Sequence, residues 1–392
     1  MRRILLLAAL FLPFFLQAQM IPSPKTQPGL MRGNASDPIV TFDENPPRVG
    51  DQSIHYERWP IKIGDPLTPE LMKAADFGDP TAQTAVGLSI ATGKGAPKDV
   101  VKGMNWLRRA VAGGSVTAEY CLGDLYIDGD GIEKDYAEGA RWLKKAAEHG
   151  ESGAQLRLAV LYVEGMGVER DYKKAISLFK QAAKKHMGVA EHAVGVMYEK
   201  GWGVEASDRE AVKWYERGWK DGAPESEFRL GLFYLDGRGV SKDVEKGLAN
   251  IRSSANKNLS DAQFVMGLFS SHGKYMPKDD KAAIEWYTKA VASGSALAAV
   301  NLAYKYEKGI GVARDLRRAL ELNMQAAKQG LGVAEANVGA YYARGMVVSR
   351  DLEEAQVWFK RAAEHGYKVP ENWMTPGSNG EMANNTQMLK KR

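Results

Sequence analysis

An all-α fold, specifically an α/α solenoid of eight 36-residue helix-turn-helix repeats, is predicted by three columns of residues that keep step along the chain. A glycine recurs every thirty-six residues, at Gly93, Gly129, Gly165, Gly201, Gly237, Gly273, Gly309 and Gly345. An alanine stands eleven residues before it (Ala82, Ala118, Ala154, Ala190, Ala262, Ala298, Ala334), with Ser226 the one departure. An aspartate stands six residues after it (Asp99, Asp135, Asp171, Asp243, Asp279, Asp315, Asp351), with Ser207 in the remaining repeat. A fixed period of this size marks units that cannot bury their apolar faces alone and must stack on their neighbours.

The elements follow in order. Residues 1–18 have the form of a secretory signal: Arg2 and Arg3, an apolar run from Ile4 to Leu16, then Gln-Ala-Gln. Cleavage is expected after Ala18, although Leu16 is larger than the usual residue three positions before a cut. The run is short for a membrane span, and no later segment is long enough for one. No cysteine follows it, so nothing supports a lipid anchor. The expected location is periplasmic or secreted. Residues 19–64 are proline-dotted and lack helical period, which predicts an extended lead-in. Ile54, Tyr56, Trp59, Ile61 and Ile63 within it are apolar enough to lie against the first repeat. At 65–78, Thr68-Pro69-Glu70 reads as N-cap, first-turn proline and first-turn acid of a lone helix that closes the amino end. The eight repeats fill 79–366. The tail, 367–392, is rich in Asn, Pro and Gly, with Trp373 and Met374 as candidates for folding back over the last repeat.

Repeat two shows how each unit is encoded. Ala118, Leu122 and Tyr126 fall at steps of four, on one face of a short helix. Gly129 falls where that helix stops, in a position suited to a left-handed cap. Asp135 is then the N-cap of a second helix, and Glu138 three residues on completes a capping-box pattern that Asp351 and Glu354 repeat. Trp142 and Ala146 share a face of this second helix. Small residues at Gly123, Ala146 and Ala147 allow close approach of neighbouring helices. The column Trp106, Trp142, Trp214, Trp286 and Trp358 is read as core, and Trp142→Ala as a core truncation.

The columns Leu122-Gly123, Tyr126, Gly129-x-Gly131, Asp135, Trp142 and Ala146-Ala147 resemble the Sel-one-like repeat family, a relative of the tetratricopeptide repeat, over residues 79–366. The resemblance implies a paired-helix fold and a habit of binding proteins, in members that are adaptors, regulators or inhibitors. Some secreted members carry one disulfide per repeat. This chain has Cys121 alone, which excludes an internal disulfide and removes any ground for carrying over the weak β-lactam binding of that branch. Cys121 reads as a buried small apolar residue. Departures gather at 247–276: Asn250 for Trp, Ser254 for Ala, Ser270 for Tyr, Tyr275 for the second loop glycine. Val347 replaces that glycine in repeat eight. Drift within an array and a hinge shaped around a partner are both open readings of that stretch.

The 53 basic and 48 acidic residues give +5, or +3 without Arg2 and Arg3, too even and too dispersed for nucleic acid. A basic residue precedes the cap aspartate in seven repeats (Lys98, Lys134, Arg170, Lys242, Lys278, Arg314, Arg350), either a solvated loop charge or a ridge for an acidic partner. Chemistry is hard to find. His149 and His365 share a repeat column about 50 Å apart at ordinary helix spacings, too far for one metal or one active site. No His-Glu-x-x-His, paired cysteines or Gly-x-Ser-x-Gly occurs, and the loops running from Gly129 to Lys134 join helix to helix and lack a Gly-Lys-Ser/Thr ending. No catalytic residue, metal, cofactor or small-molecule substrate is expected.

By resemblance to tetratricopeptide arrays, first helices line a concave side. Two columns would face it: Tyr120, Leu156, His192, Phe228, Phe264, and Asp124, Val160, Val196, Leu232, Leu268, Tyr304. Tyr120, Val160, His192, Val196, Phe228, Leu232, Phe264, Leu268 and Tyr304 are the candidate protein-binding residues, centred between Val196 and Leu268, since contiguous apolar surface marks binding. Burial of the same columns in the core is the competing reading. The expected function is a periplasmic protein-binding scaffold, an adaptor or regulator of an envelope protein. The alternatives are an immunity protein occluding a toxic enzyme such as a secreted phospholipase and, less favoured, a cell-wall or β-lactam hydrolase.

Overall fold

The computed structural model describes residues 66–129, 131–369 and 373. The signal (1–18), the lead-in (19–64) with its apolar stretch from Ile54 to Ile63, and the tail beyond 369 apart from Trp373 lie outside the described residues. Seventeen helices occur among the described residues. A lone helix, α1 (Pro69–Asp76), precedes eight pairs: α2 (Pro80–Thr92) with α3 (Val100–Ala112), α4 (Val116–Asp128) with α5 (Tyr136–Glu148), α6 (Ser152–Glu164) with α7 (Tyr172–Ala183), and α8 (Gly188–Lys200) with α9 (Asp208–Lys220). The series continues with α10 (Pro224–Asp236) and α11 (Val244–Asn256), α12 (Ser260–His272) and α13 (Asp280–Ala292), α14 (Ala296–Lys308) and α15 (Leu316–Ala327), α16 (Gly332–Arg344) and α17 (Leu352–Glu364). Two compact units hold them, one within Phe42–Ala223 carrying α1–α9 and one within Pro224–Arg392 carrying α10–α17. Within each unit every first helix packs on its own second helix, and that second helix packs on the next first helix.

The turn inside a repeat works by a division of labour at the aspartate. Gly129 ends α4 in the left-handed region, φ 63°, and its amide donates to the carbonyl of Leu125. Asp135 Oδ1 then accepts from the amide of Glu138 at 2.9 Å, capping α5. The capping box expected from Glu138 does not form. The amide of Asp135 donates instead to the carbonyl of Tyr126 at 2.9 Å, and the Glu138 carboxylate pairs with Arg141 at 2.9 Å. Asp351 behaves alike, its amide donating to Tyr342 at 3.0 Å while its carboxylate caps Glu354 at 2.9 Å. One residue thus caps the second helix and ties the turn back to the first. Where the basic residue just before it is arginine, it caps as well: Arg314 Nε donates to the carbonyl of Glu307 at 3.0 Å, and Arg350 Nε to that of Ala343 at 3.2 Å. These unpaired last-turn carbonyls are the groups a helix end must satisfy.

Close packing explains the small residues. A Cβ on Gly123 would stand 2.7 Å from Leu143 Cδ2 across the α4–α5 contact, so only a bare Cα fits against that buried leucine. Cys121 and Leu122 are buried beside it, and burial pushes the Cys121 thiol far above the usual range. At the amino end Thr68 Oγ1 accepts from the Leu71 amide at 3.2 Å, and Leu71 and Ala75 of α1 are buried against Ala82, Ala85 and Val86. At the other end Trp373 is buried against Phe359, with ring centres 6.3 Å apart. The stretch 247–276 keeps a packed inner face. Ile251, Ala255, Met266 and Phe269 are buried, Ser254 Oγ donates to the Asn250 carbonyl at 3.0 Å, and Tyr275 meets Phe269 edge-on. The replacements leave two marks: a buried Asn250 Nδ2 with no partner and Tyr275 held at φ 65°.

Candidate protein-binding surface

The nine residues singled out from sequence divide by exposure. In the first unit Tyr120 and Val160 are half-buried, while His192 and Val196 are buried in α8. In the second unit Phe228, Leu232, Phe264 and Leu268 are buried in one continuous core, Phe264 only 1% exposed, while Tyr304 is half-buried. The reason is visible in the partners. His192 reaches the ring of Tyr215 on α9 at 5.4 Å, and Phe264 reaches Tyr287 on α13 at 6.1 Å. Glycine at positions 195 and 267 lets those tyrosines come so close that they fill the space beside the first-helix columns. The columns are thereby drawn into the packing of each pair, and the accessible members are Tyr120, Val160 and Tyr304.

Tyr120 belongs to a polar group between neighbouring repeats. Its ring lies against Gly153 of α6. Beside it the buried Asp124 accepts from Arg157 Nε at 2.7 Å, and Arg157 also reaches Asp128 at 3.2 Å. Burial raises the Asp124 carboxyl above its ordinary value, against the pull of Arg157. Burial likewise drives the Tyr120 hydroxyl far up.

A second column, read as core from sequence, is placed by the structure at the edge of the core, with Trp142, Trp286 and Trp358 packed against it. Trp142, Trp214, Trp286 and Trp358 are half-buried; only Trp106 is buried. Each carries a cation over its ring from the residue three positions on, one turn along the same helix face. The distances to the ring centre are 4.1 Å for Arg109 on Trp106, 4.4 Å for Lys145 on Trp142, 4.4 Å for Arg217 on Trp214, 4.4 Å for Lys289 on Trp286 and 4.9 Å for Arg361 on Trp358. Where the tryptophan is replaced, so is the cation: Leu178 with Gln181, Asn250 with Ser253, Leu322 with Gln325. The five cationic residues are exposed. The second helices therefore present plates of indole covered by a positive charge, an arrangement the quadrupole of the ring favours. The covariation of the two columns along the repeats was the signal in the sequence that locates it.

Serial helix pairs with half-exposed Trp and Arg/Lys columns define a repeat scaffold of the paired-helix class. Its family is shown by direct comparison: the Sel1 repeat model matches residues 80–115, 116–151, 152–186, 188–218, 224–259, 260–295, 296–331 and 332–367, and the chain belongs to that family. Among solved structures, a Sel1 repeat protein from Oxalobacter formigenes is 30% identical, with 78% of this chain and 89% of that one covered and a TM-score of 0.60. The protective antigen c5321 of uropathogenic Escherichia coli, which displays an SLR fold, is also 30% identical, with a TM-score of 0.57. That match covers 76% of this chain and 64% of the antigen's length. No curated protein sequence matches the chain.

Proposed function

We propose that this chain is an exported protein-binding scaffold, an adaptor or regulator that engages another protein of the cell envelope without catalysing a reaction. The observation that carries the reading is the matched pair of columns on the second helices, Trp with Arg or Lys three residues later. Tryptophan and arginine are the side chains that most often dominate binding energy at interfaces, because a large rigid apolar plate and a delocalised cation lose little entropy on docking. Within each unit such plates recur on the second helices, which suits a protein partner better than a small molecule. The half-exposed Tyr120, Val160 and Tyr304 of the first helices are the further contact candidates. Export rests on Arg2, Arg3 and the apolar run from Ile4 to Leu16. No helix among the described residues is long and apolar enough to cross a membrane.

The test is capture from an envelope fraction with the full mature chain and with the triple variant Arg109→Ala, Lys145→Ala, Lys289→Ala. These exposed side chains contribute little to folding, about 0.5–1 kcal/mol each at most. The expected result is a partner retained by the parent and lost by the variant at nearly equal melting temperature. Equal capture by both proteins contradicts the assignment of this face, and turnover of a cell-wall substrate contradicts the scaffold reading itself.

A further inference from the structure

One column of the first helices carries a buried acid or amide in seven of the eight repeats, with Ala299 the exception, and its partner shows what each of the seven requires. Gln83, Gln155 and Gln263 donate to the carbonyl eight residues earlier, at 3.0, 3.3 and 3.1 Å. Where the column is glutamate, a base thirty residues on answers it: His149 for Glu119 at 2.8 Å, Lys257 for Glu227 at 3.0 Å and His365 for Glu335 at 2.6 Å. Repeat four breaks the rule. Thirty residues after Glu191 stands Asp221, so an acid faces an acid.

Glu191 is wholly buried in α8. Arg217 holds Oε1 from two nitrogens, Nε at 3.1 Å and the terminal nitrogen at 3.0 Å. Glu191 Oε2 is buried with no hydrogen-bond partner, an expensive condition for a carboxylate oxygen. The neighbouring acid is Asp221, the C-cap residue of α9, with one carboxylate oxygen of each residue within 4.8 Å of the other. The third member is His186, whose Nδ1 lies 3.1 Å from Asp221 Oδ2. One potential ligand atom from each of His186, Glu191 and Asp221 lies within 4.8 Å of the others. His186 occupies the turn position that is glycine at 78, 114, 150, 222, 294, 330 and 366, and it pays for the place with a left-handed φ of 57°.

We propose that His186, Glu191 and Asp221 form a binding site for one divalent transition-metal cation of the Zn2+ type. One imidazole nitrogen and two carboxylate oxygens are a ligand set such cations accept, with bonds of about 2.0–2.2 Å. Drawing the three donors onto one ion needs their separations to close to about 3–3.6 Å, as tetrahedral or octahedral geometry at those bond lengths demands. The freedom exists, because the His186 side chain is 78% exposed. Arg217 already answers Oε1; the ion gives Oε2 its partner and separates two facing carboxylates. Buried Glu191 and half-exposed Asp221 close the inner side. The outer side stays open to water or to a side chain of a partner. The bound ion clips the turn after α7 to α8 and to the end of α9.

The experiment is titration of the full, tag-free, chelator-treated chain with Zn2+ by calorimetry, with Co2+ absorption as the coordination readout. His186→Gly is the decisive variant, since glycine is the residue the turn favours and the fold tolerates it. One Zn2+ per chain, a Zn2+-dependent rise in melting temperature reversed by chelator, and affinity weaker by on the order of tenfold or more in His186→Gly, Asp221→Asn and Glu191→Gln are expected. His149→Gln and His365→Gln should bind as the parent does. Absence of stoichiometric binding by the parent overturns the proposal, and so does affinity unchanged in His186→Gly, which would place the ion elsewhere. A parent that binds no Zn2+ and is stabilised by Glu191→Gln overturns it in favour of a proton shared between the two carboxyls.

Discussion

Val347 shows how much conformational cost this repeat tolerates at one residue. It occupies the second loop position that is glycine in most repeats, at φ 57°, and is 45% exposed. A β-branched side chain in the left-handed region crowds its own backbone, at about 1–2 kcal/mol. Glycine removes that strain but adds about 0.5–1 kcal/mol of unfolded-state entropy. Val347→Gly should therefore stabilise the chain by about 0.5–1 kcal/mol net, read as a higher urea midpoint at unchanged slope. A lower midpoint would mean that the valine side chain gains more from its neighbours than its backbone loses. At this same scale the sequence was legible where geometry allows only one residue, as with Gly129 and Gly123. It misled on Glu138, read as half of a capping box, because whether a first-turn acid reaches back depends on whether the cap amide is already taken. Here Tyr126 has taken it.

At the scale of the element, the two helices of a repeat differ in what ends them and what covers them. Asp135 caps α5 with its carboxylate and fastens the turn with its amide. Asp135→Ala leaves the amide and removes the cap, and should cost about 1 kcal/mol in chemical denaturation. Glu138→Ala touches only an exposed pair with Arg141 and should cost under about 0.5 kcal/mol. A cost for Glu138→Ala equal to that for Asp135→Ala would restore the reciprocal box. On α5, Leu143 is wholly buried while Trp142 is half-buried beneath Lys145. Leu143→Ala should accordingly cost about 2–5 kcal/mol. Trp142→Ala should cost about 2 kcal/mol, less than a core truncation of that size, from partial burial and one cation–π contact. The reverse order in melting experiments would return the tryptophan column to the core. Helix type, number and phase were legible because the 36-residue period fixes each column. Which of two apolar columns is outermost was not. Exposure of Trp142 against Phe264 depends on how closely Gly195 and Gly267 let the tyrosines of the second helix approach; the glycine column allows that approach without fixing its distance.

For the whole molecule, stability in a repeat array is a sum over units and their nearest interfaces, so damage should stay near its source. The sequence revealed the array from its period, and the family comparison covers the same eight units. It did not reveal the division after Ala223, because the repeat columns pass through that position unbroken apart from Ser207 and Ser226. The direct test of the array is native-state hydrogen exchange on Tyr287→Ala. Tyr287 is fully buried in repeat six, where its ring fills the space opposite Gly267. Its truncation leaves a cavity worth about 3–5 kcal/mol. Nearest-neighbour coupling predicts that amide protection falls in α12, α13 and α14 and is unchanged in α2 to α5. An equal loss of protection from α2 to α17 would contradict it, since that is the signature of one all-or-none core.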